Sequence, residues 1–202
     1  MKRTKSSLKI IAILSAIFFL FSCNPLEDDS ASNSLLLVLN TTGTDIEGNE
    51  VNFLQSDVVH VDPNTGASTV IADTAAATLQ AKLLNPAPLI PEASQYTSIV
   101  VTRYVVSFSR SDGQNTPGVD IPYSFEGSLS TLIETDATVN ISIIVVREVA
   151  KLEPPLLDLR GGGDETVIQV KATIDFYGHD LVNNNVKATG YLNIFFADYV
   201  DQ

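Results

Sequence analysis

Val167-Ile168-Gln169-Val170-Lys171-Ala172-Thr173-Ile174-Asp175-Phe176-Tyr177 alternates apolar and polar side chains from Ile168 to its end. Val170, Ala172, Ile174 and Phe176, with Val167 or Ile168 ahead of them, fall on one side; Gln169, Lys171, Thr173, Asp175 and Tyr177 fall on the other. A period of two belongs to an extended chain, because successive side chains of a strand point to opposite faces of the sheet. After Gly178-His179-Asp180-Leu181-Val182-Asn183-Asn184-Asn185, rich in turn formers, the alternation resumes with Val186, Ala188, Gly190, Leu192, Ile194 and Phe196 opposite Lys187, Thr189, Tyr191 and Asn193. The two runs predict a long antiparallel hairpin with one buried and one wet face.

The same pattern extends upstream. Residues 96–110 are rich in Val, Tyr, Phe and Thr, and their phase shifts near Thr102 and Arg103, which predicts a bulge or a bend between sheets. Residues 138–149 alternate Val139, Ile141, Ile143 and Val145 and have the continuous apolar middle of a central strand. Shorter strands are expected at 35–39, 58–61, 69–72, 77–83 and 123–125. Only residues 128–133 read as helical, with Leu129, Leu132 and Ile133 forming one apolar turn after Ser128 as a cap. Short strands without alternating helices predict two packed antiparallel sheets: an all-β, immunoglobulin-like or fibronectin-type β-sandwich, with a closed β-barrel as the alternative. The paired cysteines and core tryptophan of antibody domains are absent, since the chain has one Cys and no Trp.

The N-terminus obeys different rules. Lys2, Arg3, Lys5 and Lys9 precede an uncharged stretch from Ile10 to Phe21 broken only by Ser15. That is the charged-then-apolar plan of a secretory signal. The apolar run is short for a bilayer, whose hydrocarbon core takes about 20 helical residues to cross.

The run closes with Leu20-Phe21-Ser22-Cys23. This resembles the lipobox of bacterial lipoproteins: an aliphatic residue three before the cysteine, a small residue just before it, then the cysteine, with Phe21 bulkier than the usual second position. The resemblance implies that residues 1–22 are a cleaved signal peptide and that Cys23 carries fatty acids as the first residue of the mature chain. Because Cys23 is the only cysteine, no intramolecular disulfide can form, and several acyl chains give the membrane affinity that one lacks. Residues 23–34 are polar and small, with Glu27, Asp28 and Asp29 near the start, and read as a flexible acidic tether ahead of a single domain over 35–202. Among such lipoproteins Asn24 lacks the aspartate linked to inner-membrane retention in enterobacteria, and early acids accompany surface export. The implied address is the bacterial cell envelope, on the periplasmic or outer face of the outer membrane.

Residues 104–199 also resemble uncharacterised β-sandwich lipoproteins that share Phe176-Tyr177-Gly178-His179-Asp180, an Asn turn, and Gly190 followed by Leu192-Asn193-Ile194-Phe195-Phe196-Ala197-Asp198-Tyr199. These phrases are β-turn chemistry and imply no activity.

Removing Lys2, Arg3, Lys5 and Lys9 from the 12 basic residues leaves 8 against 24 acids, a formal charge of −16. Such a surface repels nucleic acid, whose phosphates need clustered Lys and Arg. With His60 and His179 as the only histidines and Cys23 as the only thiol, Cys-based zinc sites and CxxC redox motifs are excluded. His60 and Asp62 share one face of a strand and have a metal-ligand spacing, though a histidine at a solvent edge beside acids is the plainer reading. His179 belongs to the turn before Asp180. No GxSxG elbow marks a hydrolase, and Glu126-Gly127-Ser128-Leu129-Ser130 does not supply one.

Asp112, Asn115 and Asp120, or Asp180 with Asn183, Asn184 and Asn185, gather hard oxygen ligands suited to calcium, but the same residues serve turns through local hydrogen bonds. Asn40-Thr41-Thr42 and Asn140-Ile141-Ser142 match a eukaryotic glycosylation sequon that carries no weight in a bacterial lipoprotein. No catalytic, cofactor or metal residue is assigned; Cys23 is the one site, a lipidation site. The expectation is a lipid-anchored envelope protein that binds, adheres or braces without catalysis, meeting the membrane through its acyl chains and an envelope protein or glycan through its domain. A carboxylate-dependent hydrolase or glycan-binding module is the alternative.

Overall fold

A computed structural model describes residues 32–85, 95–162 and 166–199. The expected signal peptide, the expected lipidation site Cys23 and the expected tether as far as Ala31 lie outside the described residues. Eleven strands run in chain order: β1 (Ser34–Thr44), β2 (Glu50–Val51), β3 (Phe53–Asp57), β4 (His60–Val61), β5 (Ser68–Thr69), β6 (Asp73–Leu83), β7 (Ile99–Ser109), β8 (Phe125–Ile133), β9 (Thr138–Val146), β10 (Ile168–Asp180) and β11 (Asn185–Ala197). Among the described residues one short α-helix, α1 (Glu148–Lys151), follows β9, and 3-10 turns lie at Gln95–Thr97 and Leu157–Leu159.

The strands form a four-stranded sheet in the order β2-β1-β6-β9 and a five-stranded sheet in the order β3-β11-β10-β7-β8, with β4 and β5 as a separate ribbon. All neighbours pair antiparallel except β3, which runs parallel to β11. In immunoglobulin lettering β1, β6 and β9 are A, B and E, while β3, β11, β10, β7 and β8 are A′, G, F, C and C′. The domain is therefore an all-β sandwich, and its two ladders end separately at β8 and β9 instead of closing as a barrel.

The hairpin that decides the fold pairs from Ile168↔Phe196 to His179↔Asn185 in unbroken register. Its inward residues Ala172, Ile174, Phe176, Ile194 and Phe196 are fully buried. They join Leu36, Leu79, Val101, Val106 and Val145 in one core, where each large side chain contributes about 1.5–3 kcal/mol of apolar burial. The phase shift expected near Thr102 is a bulge: the β7–β8 register slips between Val101 and Arg103. The β7–β10 register slips opposite it, between Tyr177 and Gly178. Gly178 fits there because a Cβ would collide with the Val100 carbonyl oxygen.

Residues 128–133 are not helical. They belong to β8, where Phe125, Gly127, Leu129, Thr131 and Ile133 turn inward and the residues between them are exposed. Leu129 and Ile133 are four apart, a spacing that a strand's even period satisfies as well as a helix does, and pairing with β7 decides between the two. Strand β9 ends at Val146, so Val149 lies in α1. His179 and Asp180 extend β10, which shrinks the expected turn. The domain also reaches back beyond residue 35: Ser34 opens β1, and both Ser32 and Ser34 are buried.

Candidate functional site

At one end of the sandwich a cleft of about 390 Å³ opens between the β1–β2 turn, the end of β3, the β4 strand, the start of β6, and α1. Its floor is made by Lys151, the last residue of α1, which is only 2% exposed. The helix forms in the crossover from β9 to β10, where the chain leaves one sheet for the other. Leu156 and Leu159, both buried, anchor that crossover, and an Arg160 guanidinium nitrogen donates to the Lys151 carbonyl at 3.1 Å.

An ammonium group held this far from water needs partners, and it has three oxygens. Lys151 Nζ donates to the Asp57 carbonyl at 2.7 Å and to Asp73 Oδ1 at 3.0 Å, and lies 2.9 Å from Asp73 Oδ2. Ser56 Oγ, wholly buried on β3, donates to Asp73 Oδ2 at 2.6 Å. Burial pushes the Asp73 carboxyl above the ordinary aspartate range, while the Lys151 charge and the hydrogen bonds from Ser56 and Lys151 pull against it. The Asp57 carboxylate accepts the Tyr199 amide at 3.2 Å, which ties the end of β11 to the same floor. Above the floor, Ile46 and Ile71 stand 48% and 59% exposed at the cleft wall, an apolar rim over a charged base.

His60 lies on the wall of this cleft, exposed on β4 opposite Thr69. Asp62 serves its own turn instead, accepting the amides of Asn64 at 2.8 Å and Thr65 at 3.3 Å, bonds that hold its carboxyl below the ordinary range. No group of three or more His, Cys, Asp or Glu is placed to hold a metal among the described residues. The loop carboxylates are likewise committed. Asp112 accepts from Arg110 Nε and from the Gln114 amide, Asn115 Oδ1 takes the Arg110 amide at 2.6 Å, and Asp120 takes the Thr116 amide at 2.9 Å.

Asp180 is 2% exposed and ringed by four donors: Ser32 Oγ at 2.7 Å, the amides of Val182 and Asn184 at 3.0 and 2.8 Å, and Asn184 Nδ2 at 2.9 Å. Burial alone would raise its carboxyl, but these hydrogen bonds together hold it below the ordinary range. It caps the β10–β11 hairpin and pins the start of the domain to it. His179 stays on the outward side of β10, with Nδ1 2.9 Å from the Asp180 carbonyl oxygen.

The Lys151–Asp73–Ser56 cluster is the feature that sequence reading missed. Its signal was faint: Lys151 stands just past residues 138–149, which read as one strand, and Asp73 opens β6. No family model, curated protein or solved structure matches this chain.

Proposed function

We propose that this chain is a lipid-anchored protein of the bacterial cell envelope whose sandwich domain binds an envelope component without transforming it. Leu20-Phe21-Ser22-Cys23 supports the anchor, and Asn24 supports an outer-membrane address. The described domain begins at Ser32, and in the sequence only the short, mainly polar stretch 24–31 lies between it and Cys23. For binding over catalysis the supporting observation is the commitment of the two charges at the cleft floor: the Lys151 ammonium and the Asp73 carboxylate neutralise each other in a largely buried network. A general acid or base needs a proton that it can exchange with substrate, and a nucleophilic lysine needs a free amine. Here both groups hold the fold.

The reading is tested in cells by palmitate labelling and membrane fractionation. Label and membrane association should be present in the parent chain and absent from Cys23→Ala. Label that persists in the variant would overturn the anchor. Turnover of an envelope glycan that disappears on Asp57→Asn would overturn the non-enzymatic assignment.

A further inference from the structure

Eight basic residues follow Cys23; Arg103, Lys171 and Lys187 lie on the outward side of the five-stranded sheet, in two rows, and Arg110 follows the end of β7. Strand alternation puts Ala172, Ile174 and Phe176 in the core, so Lys171, Thr173, Asp175 and Tyr177 face out. Cross-strand register then sets Arg103, Tyr177 and Lys187 in one row, and Ser109, Lys171 and Asn193 in another, with Arg110 just past Ser109. The cation of Arg103 lies 3.2 Å from Glu126, that of Lys187 lies 2.9 Å from Asp175, and Arg110 pairs with Asp112. Lys171 differs. Its neighbour among the described residues is an aromatic ring: Nζ stands 5.1 Å from the centre of Tyr191, which is 58% exposed. Beside them a hollow of about 280 Å³ is walled by Ser109, Arg110, Gln169, Lys171 and Asn193.

From this juxtaposition we propose that the outward face of β10 and β11 binds a saccharide bearing a carboxylate. A sugar has an apolar face of C–H groups and an edge of hydroxyls. The exposed Tyr191 ring offers a flat apolar platform, while Ser109, Gln169 and Asn193 present side-chain hydroxyl and amides to the edge. The Lys171 ammonium, with no carboxylate paired to it among the described residues, takes the ligand's carboxylate as a charge-assisted hydrogen bond. One acidic sugar needs only one such cation. A nucleic-acid strand carries a phosphate at each nucleotide and would need a series of free cations, against residues 23–202 of formal charge −16. The surface is distinct from the cleft, and the inference rests on reading the domain as a binding module; that reading's anchor is tested separately through Cys23.

The test is calorimetric titration of the full chain in detergent micelles with trigalacturonate, maltotriose and a thymidine oligonucleotide. Trigalacturonate should bind saturably and about tenfold more tightly than maltotriose, the preference that one charge-assisted contact supplies. Lys171→Gln should abolish the preference and leave maltotriose binding unchanged. Tyr191→Ala should weaken both sugars together, Tyr191→Phe should bind as the parent does, and Lys82→Gln, on the other sheet, should change nothing. Absence of trigalacturonate binding, equal affinity for the two sugars, an oligonucleotide that binds as tightly, or a Lys171→Gln variant that keeps the preference would each overturn the proposal. Palmitate labelling of Cys23 is unaffected by any of these results.

Discussion

Lys151 Nζ lies 2.9 Å from Asp73 Oδ2 and 2.7 Å from the Asp57 carbonyl oxygen, and so joins α1 to strands β3 and β6 through a cation that water scarcely reaches. Removing one member of a buried ion pair leaves the other desolvated and unpaired, which costs about 3–5 kcal/mol. Lys151→Met is expected to destabilise the domain by that amount in urea denaturation. The double variant Lys151→Met with Asp73→Asn should lose less than the two single variants added together, because no uncompensated charge remains. Additive losses would show that the pair is not coupled.

Two carboxylates, the partly buried Asp73 and the buried Asp180, should respond to pH with opposite sign. Asp180 is held below its ordinary range, so its contribution is present above the unfolded-state value near about 4 and is lost as pH falls through the lower folded value. Asp73 is pushed up, so the native state binds that proton more readily than the unfolded chain does. Its contribution is fully present below the unfolded value and is lost as pH rises through the raised one. Stability curves from pH 3 to 7 should show the penalty of Asp180→Asn growing with pH and that of Asp73→Asn shrinking. Slopes of the same sign would contradict the assignment.

Gly178 sits where the β7–β10 register slips, with Val100 backbone against the place a side chain would occupy. Gly178→Ala is expected to cost about 1–3 kcal/mol, the usual range for overpacking a tight site. Gly113→Ala tests the alternative that any added methyl is harmful: its Cβ would enter open space, and its cost would come from positive φ alone. Equal losses at both sites would remove steric crowding as the explanation for Gly178.

The contrast between these sites shows what was legible in the sequence. The hairpin of β10 and β11 could be read because its inward face is apolar or glycine until Asp180 at its end, so that period two appears as hydrophobicity. The bulge at Thr102 could be read for the same reason, as a break in phase. Strand β3 was invisible because its two inward residues are Leu54 and Ser56, and the serine is buried to meet Asp73. The cleft was hidden with it. A buried polar network places hydrophilic residues at core positions, and its partners, 17 and 78 residues apart along the chain, are joined only by the fold. The opposite error occurred at β8, where even spacing satisfied two periods at once.

The start of the domain gives the last prediction. Composition alone assigns Ser32 and Ser34 to the tether, since both are small and polar. In the fold Ser32 Oγ donates to Asp180 at 2.7 Å and also accepts the Ser34 amide at 3.0 Å, while Ser34 Oγ donates to the Thr97 carbonyl. Ser34 also pairs with Leu83 at the end of the β1–β6 ladder. A hydrogen bond to a charged acceptor contributes about 1.5–3 kcal/mol, and loss of one donor leaves a buried carboxylate less well solvated. A chain shortened to begin at Ser32 should therefore melt as one begun at Cys23 does, whereas one begun at Leu35 should lose about 2–4 kcal/mol. Ser32→Ala should account for a large part of that loss and should have no further effect when Asp180 is already Asn. Equal melting of the two shortened chains would place the boundary after Ser34 and make these contacts incidental.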